Sequence, residues 1–199
     1  MLHPIDIALQ TAVPTIMVPL HGEFTELANH GHRFLASSNG LWLEARRAWL
    51  YLRWPLVQQS AVAMPYGTVQ KAIQIARAPR ELVSEFISHA RDVCPLECAA
   101  WIVWNAETDT WKLVPITPTT ATPQSVSFQR PRLGDNEHLV VDLHSHGRIN
   151  AFFSQEDDTD DRGEYKVAGV FGCLDGELEA RFRLCANGLF IDLGNKWEQ

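Results

Sequence analysis

Three Asx-Gly dipeptides, Asn39-Gly40, Asp175-Gly176 and Asn187-Gly188, stand beside runs of apolar residues. Such pairs suit the tight turns at which one strand folds back on another, so they predict hairpins. The first lies between His32-Arg33-Phe34-Leu35-Ala36 and Leu41-Trp42-Leu43-Glu44-Ala45, and Ala48–Trp54 continues as a third strand until Pro55. The second divides Val167–Leu174 from Glu177–Leu184, and the third precedes Leu189–Leu193. Both ends of the chain are therefore expected to be built from strands.

The middle is mixed. Leu82, Val83, Phe86, Ile87 and Ala90 recur at helical spacing, with Pro79 suited to the first turn and Pro95 beyond the end. Residues 97–104 and 111–114 read as strands, and residues 115–138 are Pro/Thr-rich with a short strand at Ser125–Phe128. Leu139–Leu143 is another strand, and Ser154 with the acidic run after it opens a helix. Segment 68–77 fits a helix or a strand. The whole reads as an α/β protein, a sheet with helices packed on it. Met64-Pro65-Tyr66-Gly67 punctuates the chain and divides it into a β-rich extension, 1–66, and a main domain, 67–199.

A chain of 199 residues can bury a substantial core. Its net charge of −7 gives no basic field for phosphate, so nucleic acid is not expected as the main partner. The apolar N-terminus contains Asp6 and is interrupted by Pro4, Pro14 and Pro19, which argues against a signal peptide. No stretch reaches the roughly 18 apolar residues of a membrane span. The chain reads as cytoplasmic, and Cys94, Cys98, Cys173 and Cys185 as buried, reduced thiols rather than a zinc or disulfide framework.

The chemistry is concentrated where the strand Leu139–Leu143 runs straight into His144-Ser145-His146. Strand side chains alternate, so the two imidazoles project from one face and can converge on a single metal ion. The following loop can bring Asp157 back as a carboxylate ligand, leaving a fourth tetrahedral position for water. Each piece alone has a plainer reading. His-x-His is ordinarily two strand residues, Ser154-x-x-Asp157 is a helix capping box, and the acidic run is a solvated helix start. The capping and metal readings of Ser154 and Asp157 are compatible, because a helix N-terminus is a stable place from which to present a ligand.

His-x-His, seven residues, then Ser-x-x-Asp resembles the JAMM motif of the MPN+ metalloproteases, and Glu97 stands where that family carries an upstream glutamate, at the end of its first helix. The likeness covers about residues 79–193. More narrowly, Asp142-Leu143-His144-Ser145-His146-Gly147 with Ala151-Phe152-Phe153-Ser154 is similar to the protein A family of bacterial PRTRC systems. Two departures stand out: Gly147 replaces the usual Pro after the second His, leaving the loop's course open, and Ala99-Ala100 replace a usual Gly.

The resemblance implies a JAMM fold, a cytidine-deaminase-like mixed β-sheet flanked by helices. It implies one Zn²⁺ per chain on His144, His146 and Asp157, with Glu97 as general base then acid and Ser154 as donor to the oxyanion. It further implies a ubiquitin-like protein and a ThiF/E1-like protein as partners, the bond cut lying in the ubiquitin-like tail or its conjugates. An extended tail can bind by adding a strand to a sheet edge. Two other functions stay open, a sulfur-carrier or cysteine-releasing peptidase and a metal-free MPN scaffold. Asp142, on the face of the two imidazoles, either orients one of them or pairs elsewhere. Phe152 and Phe153 either line a substrate groove or anchor the loop. His30, His32, His89 and His138 fall in no metal-ligand spacing.

Overall fold

The computed structural model describes residues 2–58, 64–121, 126–128 and 130–195. It contains two compact units, Met1–Ala76 and Arg77–Gln199. Residues 67–76, which the sequence places with the second domain, belong to the first. The N–H of Gly67 donates to Val18 O at 3.0 Å, Ser38 N–H donates to Gly67 O at 3.0 Å, and a strand at Ala72–Ile75 pairs along Leu50–Arg53.

In the first unit, α1 (Pro4–Ala12) was not evident from the sequence, where its prolines look like breakers. Pro4 instead sits in the first turn, where its missing N–H is no loss, and His3 Nδ1 caps the helix by accepting from Ile5 N–H. Five strands follow in sheet order β1 (Thr15–Met17), β2 (Gly31–Ser37), β3 (Gly40–Arg47), β4 (Leu50–Gln58) and β5 (Ala72–Ile75). Strands β2 to β4 form the expected antiparallel meander. Pro55 does not end the third strand. It lies opposite Trp42 beside a bulge, where a missing ladder N–H is tolerated, and β4 continues to Gln58. Val18, Leu35, Trp42 and Val69 form a core, and the fully buried Glu44 carboxylate is satisfied by Arg33, Tyr51 O–H and Leu27 N–H.

The second unit opens with α2 (Arg80–Val93), in which Pro79 takes the capping position just ahead of the first turn. Its strands are β6 (Ala99–Asn105), β7 (Thr110–Ile116), β8 (Pro118–Ala121), β9 (Val126–Phe128), β10 (Glu137–Ser145), β11 (Tyr165–Gly172), β12 (Glu179–Ala186) and β13 (Leu189–Gly194), with α3 (Gln155–Asp161) between β10 and β11. β8 and β9 form a separate pair; Ser125, the first residue of the expected short strand, lies outside the described residues. The main sheet runs β13-β12-β11-β10-β6-β7. It is mixed, because β10 pairs parallel with β11 and antiparallel with β6. The Asn187-Gly188 turn has positive φ at both residues, 50° and 90°, as a type I′ hairpin requires.

One face of this sheet packs on α2, whose Phe86 meets Phe171 at a tilt with centroids 5.5 Å apart, while Phe182 packs edge-on to Phe171 at 5.7 Å. The other face presents His144 near the end of β10, with α3 lying beside it. The fold is thus α/β, a mixed sheet with flanking helices after a β-rich N-terminal region. Among the described residues, no helix is long and apolar enough to cross a membrane. All four cysteines are free; Cys98 and Cys185 are buried as expected, whereas Cys94 and Cys173 are half-exposed.

Candidate metal centre

Alternation along β10 places His144 and His146 on one face and Ser145 on the other. Ser145 Oγ is buried and accepts from Cys98 N–H at 3.1 Å. His146 lies just past the strand, but its N–H still donates to Phe171 O at 2.8 Å, so it keeps the sheet's register. The two Nε2 atoms lie 3.2 Å apart, and Asp157 Oδ1 lies 3.6 Å from His144 Nε2. One ligand atom from each of the three residues falls within 4.8 Å of the others. Four ligands at about 2.1 Å around a tetrahedral ion are about 3.4 Å apart, so the two separations at His144 already suit zinc, and the third, within 4.8 Å, has to close by at most about 1.4 Å. Among the described residues no other such group of His, Cys, Asp and Glu occurs. His146 Nδ1 lies 3.3 Å from Asn150 O, and donation there leaves Nε2 bare and facing the site. Burial first, and then the His144 imidazole, hold His146 below its ordinary pKa, which favours the neutral, ligand-competent ring.

Asp157 reaches the site from α3. Ser154 caps this helix: its Oγ accepts from Asp157 N–H, and its backbone N–H donates back to Asp157 Oδ2 at 2.7 Å. The Ser154 hydroxyl also donates to Oδ2, at 2.7 Å. Burial presses the Asp157 carboxyl upward, but His144 and the Ser154 hydrogen bonds outweigh it and bring the group below its usual range. The acidic run is thus a capped helix start, and that cap aims the carboxylate.

Glu97 lies between α2 and β6. The antiparallel register of β6 with β10 pairs Ala99 with His144, and Ser145 N–H donates to Cys98 O at 2.9 Å, which carries Glu97 alongside His146. It is only 6% exposed, and burial, reinforced by the Asp157 and Glu156 carboxylates, raises its pKa from 4.5 to about 7. Gly147 closes the same corner. Its φ is +56°, and a Cβ there would sit 2.4 Å from Pro95 O. The departure from Pro therefore tightens the turn, because Pro cannot adopt this φ and a side chain cannot fit.

The two phenylalanines part company. Phe153 sits edge-on to His144 at 6.4 Å with the Arg183 guanidinium 3.9 Å from its ring, an anchor. Phe152 meets His146 edge-on at 4.6 Å yet remains 47% exposed, at the mouth of the site. Asp142 pairs elsewhere: its Oδ2 accepts from Lys166 Nζ at 2.6 Å. Lys166 and Arg183, which the sequence did not single out, are buried under α3. Burial presses the Lys166 ammonium downward, but Asp142 and Asp161 hold it above its ordinary value. His138 packs on Trp104 rather than at this site.

A family model described as prokaryotic homologs of the JAB domain matches residues 79–185. That span exceeds half of the chain, and the chain belongs to this family, within the JAMM/MPN superfamily. Residues 3–76 match a second family model, a domain of unknown function (DUF2016). No curated protein matches the chain.

Proposed function

We propose that the chain is a zinc-dependent peptidase or isopeptidase. The observation that carries the reading is the convergence of His144 Nε2, His146 Nε2 and Asp157 Oδ1, with the buried Glu97 carboxylate alongside. In this reading His144, His146 and Asp157 hold the metal. Bound zinc supplies a Lewis acid and a water whose pKa is lowered to about 7.

The chain's own groups do the rest. Glu97 takes a proton from the attacking water as the carbon–oxygen bond forms. It delivers that proton to the amine nitrogen as the carbon–nitrogen bond breaks. A carboxylate that burial holds above its ordinary pKa is suited to both transfers, since it takes up a proton more readily than an exposed one. Ser154 is less free than its motif position implies. Its single hydroxyl hydrogen is directed at Asp157 Oδ2, so donation to a substrate oxygen requires that bond to be released, while the Ser154 N–H keeps its hold.

The substrate follows from the narrower resemblance, to the protein A family of PRTRC systems. It is the C-terminal tail of a ubiquitin-like protein, as a precursor or as a conjugate made with a ThiF/E1-like partner. In this reading Phe152, which is exposed and lies edge-on to His146, contacts residues next to the scissile bond.

The test is to purify the protein without chelator, measure bound zinc, and incubate it with the ubiquitin-like protein's conjugates and its free precursor. Zinc-dependent cleavage that Glu97→Ala abolishes while zinc stays bound is expected. Equal cleavage by both versions removes Glu97 from the chemistry. Protein that holds no stoichiometric zinc supports the scaffold reading instead.

A further inference from the structure

The strand that carries His144 and the helix that carries Asp157 are joined by one chain of ionic contacts. Lys166, on β11, has a side chain only 4% exposed. Its Nζ lies 2.6 Å from Asp142 Oδ2, two residues before His144, and 2.7 Å from Asp161 Oδ1, one turn beyond Asp157. Arg183, on β12, carries the chain further. Its Nη2 lies 2.7 Å from Asp161 Oδ2 and its Nη1 2.5 Å from Asp158 Oδ1. Cys185 Sγ also donates to Asp161 Oδ2, so both oxygens of this buried carboxylate are occupied. The Arg183 guanidinium meanwhile covers Phe153, which touches His144.

The geometry of α3 gives this chain a task. The helix has seven residues, too few to stand by itself, so contacts to the sheet must seat it. Asp158 and Asp161 are three apart and share one face of the helix. Holding both fixes the helix's rotation about its axis, and with it the direction of Asp157. Stability alone does not call for this solution, because apolar side chains of similar volume commonly replace buried ion pairs without loss. Ionic contacts differ from apolar packing in fixing orientation.

Building on the metal-centre reading above, we propose that Lys166 and Arg183 are positioning residues of the His144–His146–Asp157 centre. Lys166 sets the separation between the β10 strand end and α3, and Arg183 sets the roll of α3. Neither touches the metal or the substrate.

The test uses the full chain and three variants: Lys166→Met, Arg183→Met, and the double Asp142→Asn/Lys166→Met, which removes the tie without leaving Asp142 charged and unpartnered. Zinc affinity is read by competition with a chromogenic chelator, and folding by melting in excess EDTA. Zinc binding about 10–100-fold weaker is expected in all three, the range found when groups supporting metal ligands are removed. The double variant is expected to melt, metal-free, within about 4 °C of wild type. A folded double variant that binds zinc within about twofold of wild type overturns the proposal and leaves the metal-centre reading standing. Wild-type protein that takes up no zinc overturns that reading, and this proposal with it.

Discussion

Asp157 Oδ2 receives both the backbone N–H and the hydroxyl of Ser154, each at 2.7 Å, while Oδ1 alone faces His144. One carboxylate thereby caps the start of a helix and faces the site. Ser154→Ala should separate the two effects. Loss of the cap is expected to lower the stability of the metal-free protein by about 1 kcal/mol. Zinc affinity should fall about tenfold, since Asp157 keeps only the backbone hydrogen bond. Ser154→Thr preserves the hydroxyl and should stay near wild type in both. Denaturant melts in EDTA and chelator competition measure the two quantities. Unchanged zinc affinity in Ser154→Ala would remove the hydroxyl from the aiming of Asp157.

The raised pKa of Glu97 has consequences for both stability and rate. Its folded value of about 7 lies above the ordinary 4.5, so between these limits the native state holds a proton that the unfolded state has released. Stability contributed by the protonated group is therefore present in full below pH 4.5 and lost as the pH rises to about 7. Metal-free Glu97→Gln should be more stable than wild type above pH 7, by up to about 3 kcal/mol, and equal to it near pH 4. Thermal melts across that range check the convergence. The proposed hydrolysis needs the opposite form, the ionised carboxylate. Its rate should fall on the acid side as Glu97 takes up its proton, at a pH below 7 once a cation stands nearby.

What the sequence made legible was local. Asn187-Gly188 announced its turn because few other residue pairs accept two positive φ values in succession, and Phe86 with Ala90 announced the buried face of α2. His144, His146, Ser154 and Asp157 were readable because strand alternation and a helix cap fix their directions over short spans. Groups meeting from separate elements were not. Lys166 and Arg183 look like solvated strand residues until α3 is laid over them, and Asp142 shares the face of the imidazoles but is taken by Lys166. The helix at Pro4–Ala12 is obscured for another reason: Pro4 looks like a breaker, yet in the first turn its missing N–H costs no hydrogen bond.

Phe152 and Phe153 adjoin one another and should respond in opposite ways. Phe153→Ala removes a half-buried ring between Arg183 and His144, and about 2 kcal/mol of stability should go with it, roughly half the loss for a fully buried ring. Phe152→Ala should stay within about 0.5 kcal/mol of wild type, as exposed positions do. Under the proposed function its effect belongs in KM for the ubiquitin-like tail, which should rise several-fold with little change in kcat. A Phe152→Ala enzyme with unaltered KM would place the tail elsewhere.

Gly147 offers a test in which the residue usual to the family should fail. Its φ of +56° lies in the left-handed region, and the site of its missing Cβ is 2.4 Å from Pro95 O. Gly147→Ala meets both the conformational penalty and that carbonyl, for a loss of at least about 2 kcal/mol. Gly147→Pro cannot reach the conformation at all, because its ring holds φ near −65°. The turn must then rearrange against Pro95, two residues before Glu97, so the displacement reaches the proposed base as well as His146. Gly147→Pro should therefore melt well below Gly147→Ala and lose zinc binding, both read on the purified chain. If Gly147→Pro melts with wild type and binds zinc as tightly, the left-handed turn is not what holds this corner together.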